Sequence, residues 1–191
     1  MGTDIHGFVE CRATFGTLDE EDGAWHAAIS LDMLYGGRDY DAFGCLFGVR
    51  NYAGFRPIAE GRGLPGDVSA QTRHAYETWE PDCHSSSWAT WAELAQVDWD
   101  ESADTVDKRA HQYTFTPGHG WVLTGKSFQD IQSRPERAEW TQGDVLYRVV
   151  RMIRRDAIAE TGQWAPVWMA MQALADVHGS ENVRLVVWFD N

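Results

Sequence analysis

The chain has 191 residues, 43% hydrophobic and 13% aromatic, enough for one ordinary domain with a buried core and far from a disordered composition. Lys and Arg total 16 against 29 Asp and Glu, and the formal charge of −13 repels phosphate backbones, so duplex nucleic acid is not an expected partner. Cys11, Cys45 and Cys83 lack the number and spacing of a disulfide framework or thiolate zinc site, and there is neither a membrane-length apolar run nor a signal-like N-terminus, so a cytoplasmic protein with no membrane partner is expected.

In chain order, "DIHGFVECRAT" alternates as a strand does, with Asp4, His6, Phe8, Glu10 and Arg12 on one side and Ile5, Val9, Cys11 and Ala13 on the other. After the acidic turn "LDEEDG", marked by Asp22-Gly23, "AWHAAISL" is expected to return antiparallel. "RDYDAFGCLFGVRN" reads as a short helix capped by Asp39, with Tyr40, Phe43 and Phe47 on one buried stripe. "YAGFRPIAEGRGLPGD" reads as a long irregular loop of the kind that carries function, and a helix follows from Ser69. "EPDCHSSSW" is expected as another loop, after which Thr90 and Glu93 form a capping box opening the helix "WAELAQ".

The stretch from about 98 to 140 is polar and reads as an irregular excursion from a single domain spanning 1–191, with "YTFT" and "WVLT" as short strands around "PGHG". "GDVLYRVVRMIRRDAIAE" reads as an amphipathic helix with Arg148, Arg151 and Arg155 along one solvated side. "APVWMAMQALADVH" is a second helix, with Pro166 in its first turn and Gly179 ending it, and "VRLVVWFD" is an apolar strand. The expected fold is therefore α+β: a small, mainly antiparallel sheet including both terminal strands, covered by helices.

"GWVLTGKS", Gly120 to Ser127, fits the phosphate-loop pattern G-x-x-x-x-G-K-[ST]. A working loop curls small residues around phosphates at a helix N-terminus, whereas "WVLT" is bulky and partly β-branched and Pro135 cuts short any following helix. An exposed hairpin strand is expected instead, and no nucleotide cofactor.

The chemistry of greater interest lies in two Asp-x-His pairs. Asp4 and His6 share one face of a strand, Asp82 and His84 repeat the spacing, and Asp190 ends the terminal strand. Asp4, His6, Asp82 and Asp190 are the candidate metal ligands, and His84 is a further ligand or the general acid. Imidazole with carboxylates suits zinc, manganese or iron(II), which could activate water against a phosphoester of a nucleotide. Arg38, Arg56 and Arg62 could hold the phosphate, and Trp88, near Trp91 and Trp99, could stack on a base. The competing structural reading pairs Asp4 and His6 with backbone or Arg12, lets Asp82 cap its own turn, and uses the tryptophans for packing.

"DIHG" also looks like the opening of calcineurin-like metallophosphoesterases, but that family's Gly-Asp, Gly-Asn-His and Gly-His-x-His motifs do not follow, "GHGW" being the nearest approach. A wider resemblance covers most of the chain. "MGTDIHGFVE", "RDYDAFGCLFGVR", "RGLPGDVS", "HSSSW" and "VRLVVWFDN" together resemble a group of uncharacterised bacteriophage and bacterial proteins that open Met-Gly-x-Asp-Ile-His, in which a second His often stands where this chain has Ser86. That resemblance implies a phage accessory role in the host cytosol and no particular reaction. Two functions follow from the sequence: a metal-dependent phosphoester hydrolase, or a non-catalytic module that sequesters a small-molecule ligand or binds and inhibits a host protein.

Overall fold

The structure, a computed structural model, describes residues 2–14, 23–129, 131 and 133–191. Its elements run β1 (Asp4–Arg12), β2 (Trp25–Ser30), α1 (Tyr40–Phe47), α2 (Ala70–Trp79), β3 (His84–Thr90) and α3 (Trp91–Leu94). Then come β4 (Ala110–Thr116), β5 (Gly120–Ser127), β6 (Glu139–Gln142), β7 (Val145–Arg148), α4 (Arg154–Ala157), α5 (Ala165–His178) and β8 (Val183–Asp190). No helix among the described residues is long and apolar enough to cross a membrane.

The fold is α+β. The first sheet, ordered β2-β1-β8-β3, is antiparallel throughout and puts the first and last strands side by side, Asp4 opposite Asp190 and Cys11 opposite Val183. The acidic turn joining β1 to β2, Asp22 included, lies outside the described residues. β8 is buried from Val183 to Phe189 because both faces of the sheet are covered. Val183, Leu185, Val187 and Phe189 face Phe43 and Phe47 of α1 and Met171 and Ala175 of α5, forming the main core. α1 starts where the Asp39 carboxylate accepts the backbone N–H groups of Asp41 and Ala42, and it ends at left-handed Gly48.

The other face of this sheet is more polar. Buried Arg184 donates from Nε to Glu10 Oε2 at 2.8 Å and from Nη1 to Asp67 Oδ1 at 2.7 Å, with its guanidinium 3.9 Å from the Trp25 ring centroid. The Ser69 N–H donates to the second Glu10 oxygen at 3.0 Å. These bonds strap the glycine-rich segment 51–69 across the sheet, and Tyr76 of α2 meets Trp188 edge-on beside it.

Two expectations are corrected. "HSSSW" is not a loop: it forms β3, because buried Ser87 donates its hydroxyl to the Ala59 carbonyl and the Ser86 carbonyl accepts the Gly63 N–H, so the polar run is satisfied by the segment packed on it. Within the stretch from about 98 to 140, the expected strands "YTFT" and "WVLT" lie in β4 and β5, which pair as a hairpin around "PGHG". "GDVLYRVVRMIRRDAIAE" is not one helix. It gives β7, an extended stretch whose backbone bonds to 103, 107, 137 and 138, and only the short α4. Its β-branched and aromatic residues suit a strand, and its apolar spacing fits both periods. The second sheet, ordered β5-β4-β7-β6, has a small core of Ala110, Ile131, Tyr147 and Val149.

Candidate functional site

β1 begins and β8 ends at one corner of the first sheet, and the strand period sorts the predicted site residues onto its two sides. Asp4, His6 and Asp190 share one side, since Asp4 faces Asp190 and His6 faces Trp188 across the ladder. His84 lies opposite Phe189 on the other side, its ring stacked 6.2 Å from the phenyl centroid. Asp82 is exposed on the turn between α2 and β3. The structure thus brings together three of the five, and among the described residues no three His, Cys, Asp or Glu side chains group as a metal site.

On the first side, the His6 ring stacks on Trp79 at 4.2 Å, and its two nitrogens face different carboxylates. Nε2 is 3.6 Å from Asp190 Oδ1 and Nδ1 is 3.7 Å from Asp32 Oδ1, both longer than a hydrogen bond. His6 Nε2 and Asp190 Oδ1 are buried and have no hydrogen-bond partner among the described residues. Asp4 is engaged elsewhere: Arg38 Nε and Nη2 each donate to one of its oxygens at 2.6 Å, and these bonds hold its pKa below the usual carboxylate range. A metal taking Asp4 must displace Arg38.

The other arginines predicted to hold phosphate also meet carboxylates. Arg56 Nη2 donates to Glu101 Oε1, and Arg62 Nη1 reaches both Glu93 oxygens at 2.9 and 3.1 Å. Arg62 lies 5.2 Å from the Trp88 ring centroid and Arg184 5.9 Å from it, so two cations already attend the predicted stacking surface. With 29 acids for 16 bases, a guanidinium in this chain readily finds a carboxylate.

Arg50 is an exception, and it lies on the second side of the sheet. It lines a groove of about 490 Å³ together with Glu60, His84, Ser85, Asn191 and the glycines at 48 and 61. Arg50 Nε donates to Thr3 Oγ1 at 2.9 Å and Nη2 to Asn191 Oδ1 at 3.1 Å, both neutral oxygens just beyond the paired ends of β1 and β8. His84 Nδ1 is 2.9 Å from Ser85 Oγ, while its Nε2 is buried with no hydrogen-bond partner among the described residues. The Glu60 carboxylate lies so close to Gly48 that a Cβ there would meet it. Arg50 and Ser85 have left-handed φ of 51° and 53°, two of three non-glycine residues with positive φ among the described residues. Such a conformation costs about 1–2 kcal/mol per residue and must be held by its surroundings. A guanidinium, an imidazole and a carboxylate therefore surround one space, in which an acid and a donor on the same small molecule would both find partners.

Sequence reasoning missed Arg50, Glu60 and Asn191 here and Asp32 beside His6. Gly48, ending α1 in the left-handed region, was a readable signal of the reversal that places Arg50, but the residue type of Arg50 does not encode its own φ. Two other motifs find structural roles. "GWVLTGKS" is strand β5, and Lys126 Nζ donates to Asp41 Oδ2 at 2.6 Å and lies 3.5 Å from Asp107 Oδ2, its charge met by carboxylates. Burial pushes the Cys11 thiol up and the Cys45 thiol up to about 11, which disfavours the reactive thiolate at both. No family model, curated protein or solved structure matches the chain.

Proposed function

We propose that the protein is a non-catalytic accessory module of the phage type that sequesters a small anionic ligand in the groove beside the end of β8. Arg50 carries this reading: in a chain of formal charge −13 its guanidinium, lining a groove, is bonded among the described residues to neutral oxygens alone. A carboxylate or phosphate accepts from Arg50, with the His84 ring lining the same groove, and Glu60 faces a hydroxyl or amine of the same molecule. The left-handed backbone at Arg50 and Ser85 supports the reading, since strain held in place by its surroundings clusters at ligand sites. Three free cysteines fit a reducing host cytosol.

Thermal unfolding with inorganic phosphate, hydroxy acids, amino acids and nucleoside monophosphates tests it. A ligand at about a hundred times its Kd stabilises by about 2.7 kcal/mol, several degrees in Tm. The shift should vanish in Arg50→Gln and His84→Gln, each referred to its own unliganded Tm. No response to any of these anions, or equal responses in both variants, removes the proposal.

One contact favours a second reading, the metal-dependent hydrolase. The 3.6 Å between His6 Nε2 and Asp190 Oδ1, both buried and unpartnered, is near the roughly 3.4 Å between two ligands of a tetrahedral ion. With Asp4 released from Arg38, zinc, manganese or iron(II) would have three protein ligands and a water to activate. Metal analysis of protein purified without chelators, beside His6→Ala, decides it. About one ion per chain, lost in the variant, supports the hydrolase, and no metal in either protein removes it.

A further inference from the structure

A second cavity, sharing no lining residue with the Arg50 groove, opens where α3 meets α5. Trp91, Trp99 and Trp168 line its volume of about 360 Å³, over a floor that includes buried Leu94 and Ile158. All three indoles pack against the main core yet stay partly exposed. The Trp91 and Trp168 centroids are 6.3 Å apart with planes tilted by 44°, and fully buried Trp164 stacks behind Trp168 at 5.5 Å. Two charged side chains stand at the mouth. Arg155 is matched by Asp100, its Nη2 donating at 3.0 Å, whereas exposed Glu160 has no ion-pair partner among the described residues.

We propose that this cavity binds a small organic cation with an alkylated ammonium head. Indole attracts a cation more strongly than the other aromatic side chains, and two centroids 6.3 Å apart can both lie within about 6 Å of one charge. The alkyl shell suits the apolar floor, where a bare ammonium would leave N–H donors unpaired. Glu160 and the net charge of −13 give the mouth the complementary sign. A planar base held between two rings needs parallel faces about 7 Å apart, and the 44° tilt of Trp91 against Trp168 does not provide that slot.

Choline and its neutral isostere, the alcohol with a tert-butyl group in place of the trimethylammonium head, separate charge from shape. Titrated into isotope-labelled protein, choline should shift the indole N–H resonances of Trp91, Trp99 and Trp168 saturably, with the alcohol binding about tenfold more weakly. Glu160→Gln should weaken choline roughly threefold with Tm unchanged, and Trp99→Ala about tenfold. Equal affinity for the two probes, no saturable shift with choline, or tighter binding of adenosine than of choline overturns the proposal. If Trp99→Ala does not fold, the probe ratio in the wild type and the Glu160→Gln variant carry the test.

Discussion

At Gly7 the backbone of β1 has a φ of 153° beside β8, and a Cβ would run into the Val186 carbonyl oxygen. The glycine of "DIHG" is thus required by the close approach of two central strands, independently of any chemistry at His6. Gly7→Ala should destabilise by about 2–4 kcal/mol, because the obstacle is backbone in the middle of a ladder and cannot swing aside. Urea unfolding measures this, and an unchanged midpoint with unchanged slope would contradict it. At this scale the sequence is partly legible. Alternation places Asp4 beside His6, and the pairing of terminal strands brings Asp190 to them. That Arg38 binds Asp4 while Arg50 meets no carboxylate among the described residues depends on contacts 34 and 47 residues away, which no local pattern encodes.

Elements were legible where local chemistry and burial agree. Asp39, Ser69 and Thr90 accept N–H groups of their helices as residue type and spacing indicate, and Glu93 closes the capping box at Thr90. β1 and β8 announce themselves by alternation and by a continuous apolar run. β5 was legible as a strand, since the bulky and partly β-branched "WVLT" suits an exposed hairpin, and Trp121, Val122, Leu123 and Thr124 are exposed in succession. The failures arise where a partner supplies what the segment lacks. β3 is serine-rich and survives because segment 51–69 accepts and donates its hydrogen bonds. Residues 149–153 carry apolar side chains that would suit a helix face, yet their backbone groups pair with 103, 107, 137 and 138 between the two sheets. There tertiary hydrogen bonding overrides helix propensity.

The whole molecule depends on how two sheets with separate cores are joined, and a buried charge cluster lies at that joint. Asp41 in the first turn of α1 accepts from Lys126 of β5, and from Arg109 just before β4. Fully buried Asp107 accepts from Arg109 Nε at 2.9 Å and Nη2 at 2.8 Å, and its Oδ2 is 3.0 Å from His111 Nε2. Burial alone would raise the pKa of Asp107, but hydrogen bonds from His111 and Arg109, with the charge of Arg109, outweigh it and hold the carboxyl well below the usual range. The folded pKa therefore lies below the unfolded value of about 3.9, so folding favours the ionised form. Its contribution is fully present above that unfolded value and is lost as pH falls through it toward the folded pKa. Asp107→Asn keeps the shape but leaves Arg109 and Lys126 to share Asp41, so it should cost about 3 kcal/mol at neutral pH. The variant should also lose less stability than the wild type between about pH 5 and pH 3, because it no longer has this proton to take up. Urea unfolding across that range compares the two slopes, and equal slopes would place the acid sensitivity in other carboxylates and leave the joint between the sheets held by Asp41 and packing.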